Sequence, residues 1–461
     1  MESDFFDALA EASQKLLSTQ GIIRIVSHND CDGITSASVL VKALKKIERK
    51  FVVSFVKNLT SELLKELSIE PYDIVIFTDL GSASLDHIQS SLKDKNVFVL
   101  DHHQIKEHNF KGIFVNPLNH GLDGEKGISA AGVVYLFTKL IGSSNKENAY
   151  LGLIGAIGDM QESKGFIGLN AKILEDAKDS LIITKGLRIF GSQTRPLHKA
   201  LEYSTDIFIP NVTGDEKGAI NFLQNLDIPL QDRAGKYRKL VNLTTTEMQK
   251  LVSAIIIERM KTEKTPDDIF GDIYLLKSEA NGAVTRDLKE FSTLLNATAR
   301  LNKPSIGLGI CINDKKAKEK ATEILNGYKI EIINSLNWFN KNRKSSKIFE
   351  SDNLVIINAE EFVKDTLIGT IASIISKSNI YKSNIVIVAM AHTVDGFTKI
   401  SARVTGNENS INLRSILNEI ISKIGGETGG HDNAAGAIII QEKDNEFIQE
   451  VKNYLSIEKI A

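Results

Sequence analysis

The chain has 461 residues, enough for two large domains or about three of ordinary size. Its 42% hydrophobic and 25% charged residues exclude a disordered chain, and 56 basic against 58 acidic side chains exclude a strongly basic protein that coats nucleic acid by charge alone. The two cysteines, Cys31 and Cys311, can build neither a disulfide framework nor a four-thiolate zinc site, so any metal must sit on carboxylates and imidazoles in a reducing interior.

The opening stretch, MESDFFDALAEASQKLL, is acidic and amphipathic, and no segment approaches the ~20 apolar residues of a membrane span. A soluble, cytoplasmic protein without membrane contact is expected. Ile22 to Val26, Phe51 to Val56, Ile74 to Phe77 and Val97 to Leu100 are short apolar runs rich in β-branched residues, and they predict strands. Helix-compatible stretches at Thr35 to Arg49 and Ala83 to Leu92 alternate with them, and Ala130 to Ile141 and Asn148 to Gly158 follow. This alternation implies βαβ units and a mostly parallel sheet over residues 1–190. Residues 191–285 hold four of the seven prolines and turn loop-rich, with one amphipathic helix at Thr244 to Lys261. They are expected to form an intermediate module. Residues 286–461 predict a second α/β domain. Its strands are expected at Leu354 to Ile357, Asn384 to Val388, Thr398 to Val404 and Ala435 to Ile440, and its helices at Lys364 to Ile375 and Asn412 to Ile424. The basic run NKNRKSSK, Asn340 to Lys347, reads as a solvated linker, and Trp338 and Phe339 as core packing or a stacking platform for bases.

The polar residues fall at particular places along this pattern. The first strand runs into His28, Asn29, Asp30, Cys31, Asp32 and Gly33; the Ile74 strand ends at Thr78 and Asp79; the Val97 strand ends at Asp101, His102 and His103. Carboxyl ends of parallel strands are where open α/β sheets bind ligands, so several strands would deliver acids and imidazoles to one crevice. Asp159, after Gly158, adds another carboxylate. Taken singly, Asp30, Asp32 and Asp79 also suit turns or helix caps, and a lone histidine suits the core. Together, these carboxylates and three histidines on one edge require a counter-charge, which divalent cations supply. Mixed imidazole and carboxylate ligands suit Mn²⁺, Co²⁺, Fe²⁺ or Zn²⁺ better than Ca²⁺. Two ions sharing a carboxylate would balance these acids and activate a water for phosphate-ester hydrolysis.

HNDCDG at His28 to Gly33, TD at Thr78 to Asp79, DHH at Asp101 to His103 and GD at Gly158 to Asp159 resemble the four ordered motifs of the DHH phosphoesterase superfamily. GGETGGHDNAAG, Gly425 to Gly436, resembles the glycine-rich signature of its DHH-associated C-terminal domain. SQTRPLHKALEYSTD (Ser192 to Asp206) and STLLNATARLNKPSIGLGI (Ser292 to Ile310), with the chain length, are similar to archaeal RecJ-like nucleases, including those that associate with the replication factor GINS.

The resemblance implies a metal-dependent exonuclease that cuts single-stranded DNA or RNA to mononucleotides in replication or repair. It implies two divalent ions, Mn²⁺ foremost, with Mg²⁺ or Co²⁺ as substitutes. His28 and Asp30 would hold one ion, Asp32, His102 and Asp159 the other, and Asp79 both. Asp101 would orient an imidazole and His103 would face the scissile phosphate. In the second α/β domain, facing the first across a cleft, Arg403, Gly429, Gly430 and His431 would grip phosphate. A small-nucleotide phosphodiesterase, acting on short oligoribonucleotides or nucleotide bisphosphates, and a scaffold that binds GINS are the alternatives. The bacterial enzymes of this family carry a further OB-fold, for which too little chain is expected after Gly436.

Overall fold

The computed structural model describes residues 2–162, 165–204, 208–260, 265–378, 380–406, 411–431 and 434–457. Asp206 of the SQTRP phrase and Asp432 and Asn433 of the glycine-rich signature lie outside the described residues, as does the side chain of His431.

Five parallel strands, β1 (Ile23–His28), β2 (Phe51–Val56), β3 (Ile74–Thr78), β4 (Asn96–Leu100) and β5 (Ile113–Val115), form the first sheet in the order β2-β1-β3-β4-β5. β3 is buried throughout and β1 along nearly all its length, which is why both read as continuous apolar runs. β2 lies at the sheet edge and is only partly covered. Parallel pairing demands helical crossovers, and the Cys31–Lys46 and Ser61–Ile69 helices supply them around β2. The strand order reverses direction between β1 and β3, so the crevice outside their carboxyl ends is the topological switch point of the sheet. The Cys31–Lys46, Ala130–Ile141 and Ala149–Gly158 helices pack on one another, and the last is buried along almost all its length.

β6 (Leu181–Leu187) and β7 (Phe270–Leu276) pair antiparallel and bring together the two ends of the segment between them. That segment encloses a core of its own, built on Leu197, Leu201, Leu223, Leu251 and Ile255 from the Leu197–Glu202, Glu216–Asn225 and Thr245–Arg259 helices, with Ile209 from the connection between the first two. The last of these helices carries a reciprocal cap between Thr244 and Glu247. The Leu288–Arg300 and Pro304–Cys311 helices then pack against the Cys31–Lys46 helix.

The chain divides into two compact units at Leu325 and Asn326, later than the boundary expected at 286. The reason is the apolar face of the Leu288–Arg300 helix, whose Phe291, Leu294, Leu295 and Ala299 are buried in the first unit.

The second unit holds a mixed six-stranded sheet of β8 (Ile348–Glu350), β9 (Leu354–Asn358), β10 (Val386–His392), β11 (Phe397–Val404), β12 (Glu427–His431) and β13 (Ala434–Ile440), in the order β12-β13-β11-β10-β9-β8. Only β9 and β10 pair parallel. Alternate residues of these strands serve opposite faces. Leu354, Ile356 and Val388 pack with Leu417, Ile420 and Phe447, while Val355, Ile357 and Ile387 pack with Leu367, Ile371 and Phe339. Phe339 is therefore core. Trp338 packs partly against the same core and stacks on Phe362 with ring centroids 5.8 Å apart. Arg343 and Lys347 of the basic run pair with Glu350 and Glu360. Among the described residues, no helix is long and apolar enough to cross a membrane.

Candidate metal centre

The adjacent strands β1, β3 and β4 end on one edge and bring His28, Asp30, Asp32, Asp79, Asp101, His102 and His103 together there, and Asp159 joins them from the end of the Ala149–Gly158 helix. Two groups meet at Asp79. On one side, His28 Nδ1 lies 2.8 Å from Asp30 Oδ2 and 3.4 Å from Asp79 Oδ2. On the other, His102 Nε2 lies 3.2 Å from Asp159 Oδ2, 3.6 Å from Asp79 Oδ1 and 3.8 Å from Asp32 Oδ2. The two carboxylate oxygens of Asp79 thus face different histidines.

Each member is held by its own local structure. Asp30 is both of the things its position allows. Its Oδ1 accepts the Gly33 N–H at 2.9 Å, capping the Cys31–Lys46 helix, while Oδ2 turns to His28. Asp32 is fully buried at the start of the Ala130–Ile141 helix. It accepts the Ala130 and Ala131 N–H groups at 2.8 and 3.0 Å and the Ser129 hydroxyl at 2.9 Å, so the positive end of that helix holds it. Gly155 permits this approach, because a Cβ there would lie 2.1 Å from Asp32 Oδ1.

His102 donates Nδ1–H to the Gly124 carbonyl at 2.7 Å, which leaves Nε2 directed into the cluster. Asp101 accepts Nδ1–H of His103 at 2.8 Å, along with the His102 and Ser82 N–H groups, so the imidazole it orients is that of His103. His103 is the exposed member, with about half its side-chain surface free. Asp79 caps no helix, since the next helix starts after Ser84. It sits at φ 60°, an uncommon conformation for a residue with a Cβ and one that tends to persist at functional positions.

The electrostatics are those of a buried acidic cluster that could hold cations. Neither oxygen of Asp79 has a hydrogen-bond partner, nor does His102 Nε2, although all are buried. Burial, then the charges of Asp30, Asp32, Asp159 and Asp101, push the Asp79 carboxyl well above the usual carboxylate range. Burial and Asp159 push Asp32 up to about 7. For His102, burial opposes protonation, but Asp159, Asp32 and Asp101 outweigh it and push the imidazole up to about 10. Burial likewise works against ionisation of Asp30 and Asp101, and their histidine partners more than offset it, holding both well below the usual range. A field that would keep a second proton on His102 Nε2 would equally hold a metal cation there. The donor set, imidazole nitrogen with several carboxylate oxygens, fits divalent transition ions.

In the second unit, Arg403 on β11 donates Nε–H to Ser373 Oγ at 2.9 Å and an Nη1 hydrogen to the Ala402 carbonyl at 2.7 Å, which fixes its guanidinium. Gly429 and Gly430 are exposed on β12. Gly430 has φ 107°, and a Cβ there would meet the Ala434 carbonyl at 2.5 Å, so this position needs glycine; Gly429 has open space.

Sequence reasoning missed several residues that shape the first cluster. Ser129 stands before an apolar helical run and could have been found as a cap. The carbonyl of Gly124 and the side chain of Asn296, which accepts the Cys31 N–H at 3.1 Å, carry no signal in the sequence.

Three family models match the chain in order: the DHH family N-terminal domain over residues 22–156, the DHH-CID domain over 189–270 and the DHHA1 domain over 352–457. The uncharacterized protein MJ0831 of Methanocaldococcus jannaschii is 30% identical over 450 residues, spanning 95% of this chain and 94% of its own length. A putative SPbeta prophage-derived single-strand DNA-specific exonuclease, YorK of Bacillus subtilis, is 22% identical over 446 residues, covering 94% of this chain and 66% of YorK. Among solved structures, RecJ from Thermus thermophilus in complex with Mn²⁺ superposes with a TM-score of 0.60 at 16% identity. That match covers 98% of this chain but only 54% of that RecJ, so the chain spans about half its length. CDC45 from Entamoeba histolytica superposes with a TM-score of 0.59 at 11% identity, over 97% of both chains. The ordered DHH, DHH-CID and DHHA1 matches and the full-length archaeal relative place this chain in the DHH superfamily, and its fold is shared with RecJ.

Proposed function

We propose that this chain is a divalent-metal-dependent exonuclease that hydrolyses phosphodiester bonds of single-stranded DNA, and of RNA by the same chemistry, to mononucleotides. The observation that carries this is Asp79. It is a buried carboxylate with both oxygens lacking hydrogen-bond partners, set between a His28–Asp30 group and an Asp32–His102–Asp159 group. His28 and Asp30 would hold one ion, Asp32, His102 and Asp159 the second, and Asp79 both. When bound, such ions, Mn²⁺ or in its place Mg²⁺ or Co²⁺, supply Lewis acidity at a phosphoryl oxygen and lower the pKa of an attacking water.

The chain's own groups do the positioning. Asp101 keeps Nδ1 of His103 protonated, and burial is outweighed by that carboxylate, so the imidazole is raised and can donate from Nε2 to a phosphoryl oxygen. Arg403 is fixed by Ser373 and its own strand, which gives its guanidinium a set orientation in which to meet a phosphate. Gly429, Gly430 and His431 would add close backbone approach and a further donor. The similarity to YorK, a putative single-strand DNA-specific exonuclease, supports the substrate class.

The scaffold alternative, with GINS as the partner in a replication complex, gains no specific support from a CDC45 likeness, which shows a shared fold. It would not require the full ligand set that this chain retains. A pull-down with GINS subunits tests the docking role separately.

The deciding experiment is Asp79→Ala assayed on end-labelled DNA and RNA strands with Mn²⁺. Hydrolysis should fall by at least about a thousandfold while the fold is kept. Full activity of the variant would remove the assignment of Asp79. Faster cleavage of a dinucleotide than of a long strand by the parent would favour the small-nucleotide phosphodiesterase.

A further inference from the structure

The Cys31–Lys46 helix begins inside the metal-binding loop, and its first N–H groups need acceptors like those of any helix. Asp30 takes only one of them, the Gly33 N–H, with Oδ1, and its Oδ2 faces His28. The Cys31 N–H lies between two proposed ligands, Asp30 and Asp32. Its acceptor comes from far along the chain, Asn296 Oδ1 at 3.1 Å, in the middle of the Leu288–Arg300 helix. One turn earlier on the same helix face, buried Ser292 accepts from the Cys31 thiol at 3.4 Å, and the thiol also lies 3.5 Å from the Ile154 carbonyl. Cys31 itself is 1% exposed and its thiol is pushed well above the usual range by burial. It is therefore a wedge rather than a nucleophile.

We propose that Asn296 is a positioning residue for the metal centre. As a second, remote cap, it accepts the Cys31 N–H and so lets Asp30 keep one carboxylate oxygen for the metal while the other caps the helix. Losing that acceptor leaves a buried N–H that can be satisfied only if the loop shifts or if Asp30 turns toward it. Either movement displaces Asp30 and Asp32 from His28 and His102. Groups that orient ligands in this way typically change metal affinity by about 10–100-fold when removed. Ser292 and the Cys31 thiol set the spacing between helix and loop.

This inference rests on the metal centre proposed above, and its test reads metal binding directly. Free Mn²⁺ is titrated by electron paramagnetic resonance against the full-length parent, Asn296→Leu and Asn296→Asp, with thermal unfolding in chelator recorded for each. Asn296→Leu keeps the volume without the acceptor and should weaken Mn²⁺ binding by about tenfold or more at a temperature where the protein is fully folded. Asn296→Asp restores an acceptor at a helix start and should return to within about threefold of the parent. In strand cleavage, Asn296→Leu should raise the Mn²⁺ concentration for half-maximal rate while leaving KM for the strand unchanged. Parent-like Mn²⁺ affinity in Asn296→Leu, or equal weakening in both variants, would overturn the proposal. A parent that binds no Mn²⁺ would overturn it together with the metal centre. A parent that binds Mn²⁺ without cleaving strands would overturn the nuclease function alone, and the same titration would still decide the role of Asn296.

Discussion

The first unit contains two buried acidic clusters that resemble each other in burial and differ in bonding. In one, Asp79 is 2% exposed and neither of its oxygens finds a hydrogen-bond donor. In the other, Glu290 is 1% exposed, and its oxygens accept the Gln193 N–H at 2.7 Å, the Thr194 hydroxyl at 2.6 Å and the Ser192 hydroxyl at 3.3 Å. Its neighbour Asp287 accepts the Lys289 N–H and the Ser192 hydroxyl. Burial raises the pKa in both places, so a shifted carboxyl alone does not separate them. Unsatisfied oxygens beside imidazoles mark a site that could hold an external cation. Satisfied oxygens mark a clasp, here tying the Ser192–Thr194 turn to the Leu288–Arg300 helix. Among the described residues, the histidine and carboxylate sets close enough to share an ion all belong to the first cluster.

The largest effect expected from this contrast is at Asp79, and it has two parts of opposite sign. Asp79→Asn should lose Mn²⁺ binding and at least about a thousandfold of hydrolysis. In chelator it should be more stable than the parent by about 1–2 kcal/mol, because a buried carboxyl that must either repel its ionised neighbours or take up a proton to fold is replaced by a neutral amide. Chemical unfolding in EDTA checks the second part. A destabilised Asp79→Asn would mean that the cluster is satisfied without cations and would erase the distinction from the Glu290 clasp.

An intermediate effect is expected at Gly155, which tests how closely the first cluster is packed. A Cβ added to Gly155 would lie 2.1 Å from Asp32 Oδ1 and 2.5 Å from the Ala131 side chain, so the helix must move or Asp32 must turn. Gly155→Ala should cost about 1–3 kcal/mol of stability and about 10–100-fold in kcat with Mn²⁺. Unchanged Mn²⁺ affinity and rate would show that Asp32 is not held at the metal.

Much of this arrangement was legible in the sequence because its two determinants are local. β-Branched runs mark β1, β3 and β4, and the polar residues following each run must then sit at carboxyl ends. Sheet order converts three separate chain positions into one crevice. The helix-cap and ligand readings of Asp30 competed on paper, and the structure shows that one carboxylate serves the cap while its other oxygen faces His28. What escaped was non-local. β5 is three residues long, and β6 and β7 pair across an intervening module, so neither carries enough period to be recognised. The Leu288–Arg300 and Pro304–Cys311 helices belong with the first unit because their apolar faces match the Cys31–Lys46 helix, a complementarity that exists only after folding. Asn296 reads as an ordinary helix-surface amide until that packing brings it to Cys31.

The smallest effect on hydrolysis is expected at Glu290, where the contrast predicts a change of pH-dependent stability alone. Burial, and then the charge of Asp287, push its carboxyl up to about 7 from an ordinary 4.5. An acid whose folded value lies above its unfolded value binds its proton more tightly when folded. Its protonation therefore favours the folded state most fully below about 4.5, and that contribution is lost as the pH rises through 7. The parent should lose about 2–3 kcal/mol of stability from this group between pH 4.5 and 8. Glu290→Gln keeps an acceptor for the Gln193 N–H and removes the titration, so its stability should stay flatter over the same window while Mn²⁺-dependent hydrolysis is unchanged. Urea unfolding at pH 5 and pH 8 measures the difference. An equal slope in both proteins would mean that Glu290 stays ionised throughout, held by its three donors, and burial would then count for less than hydrogen bonding at this clasp.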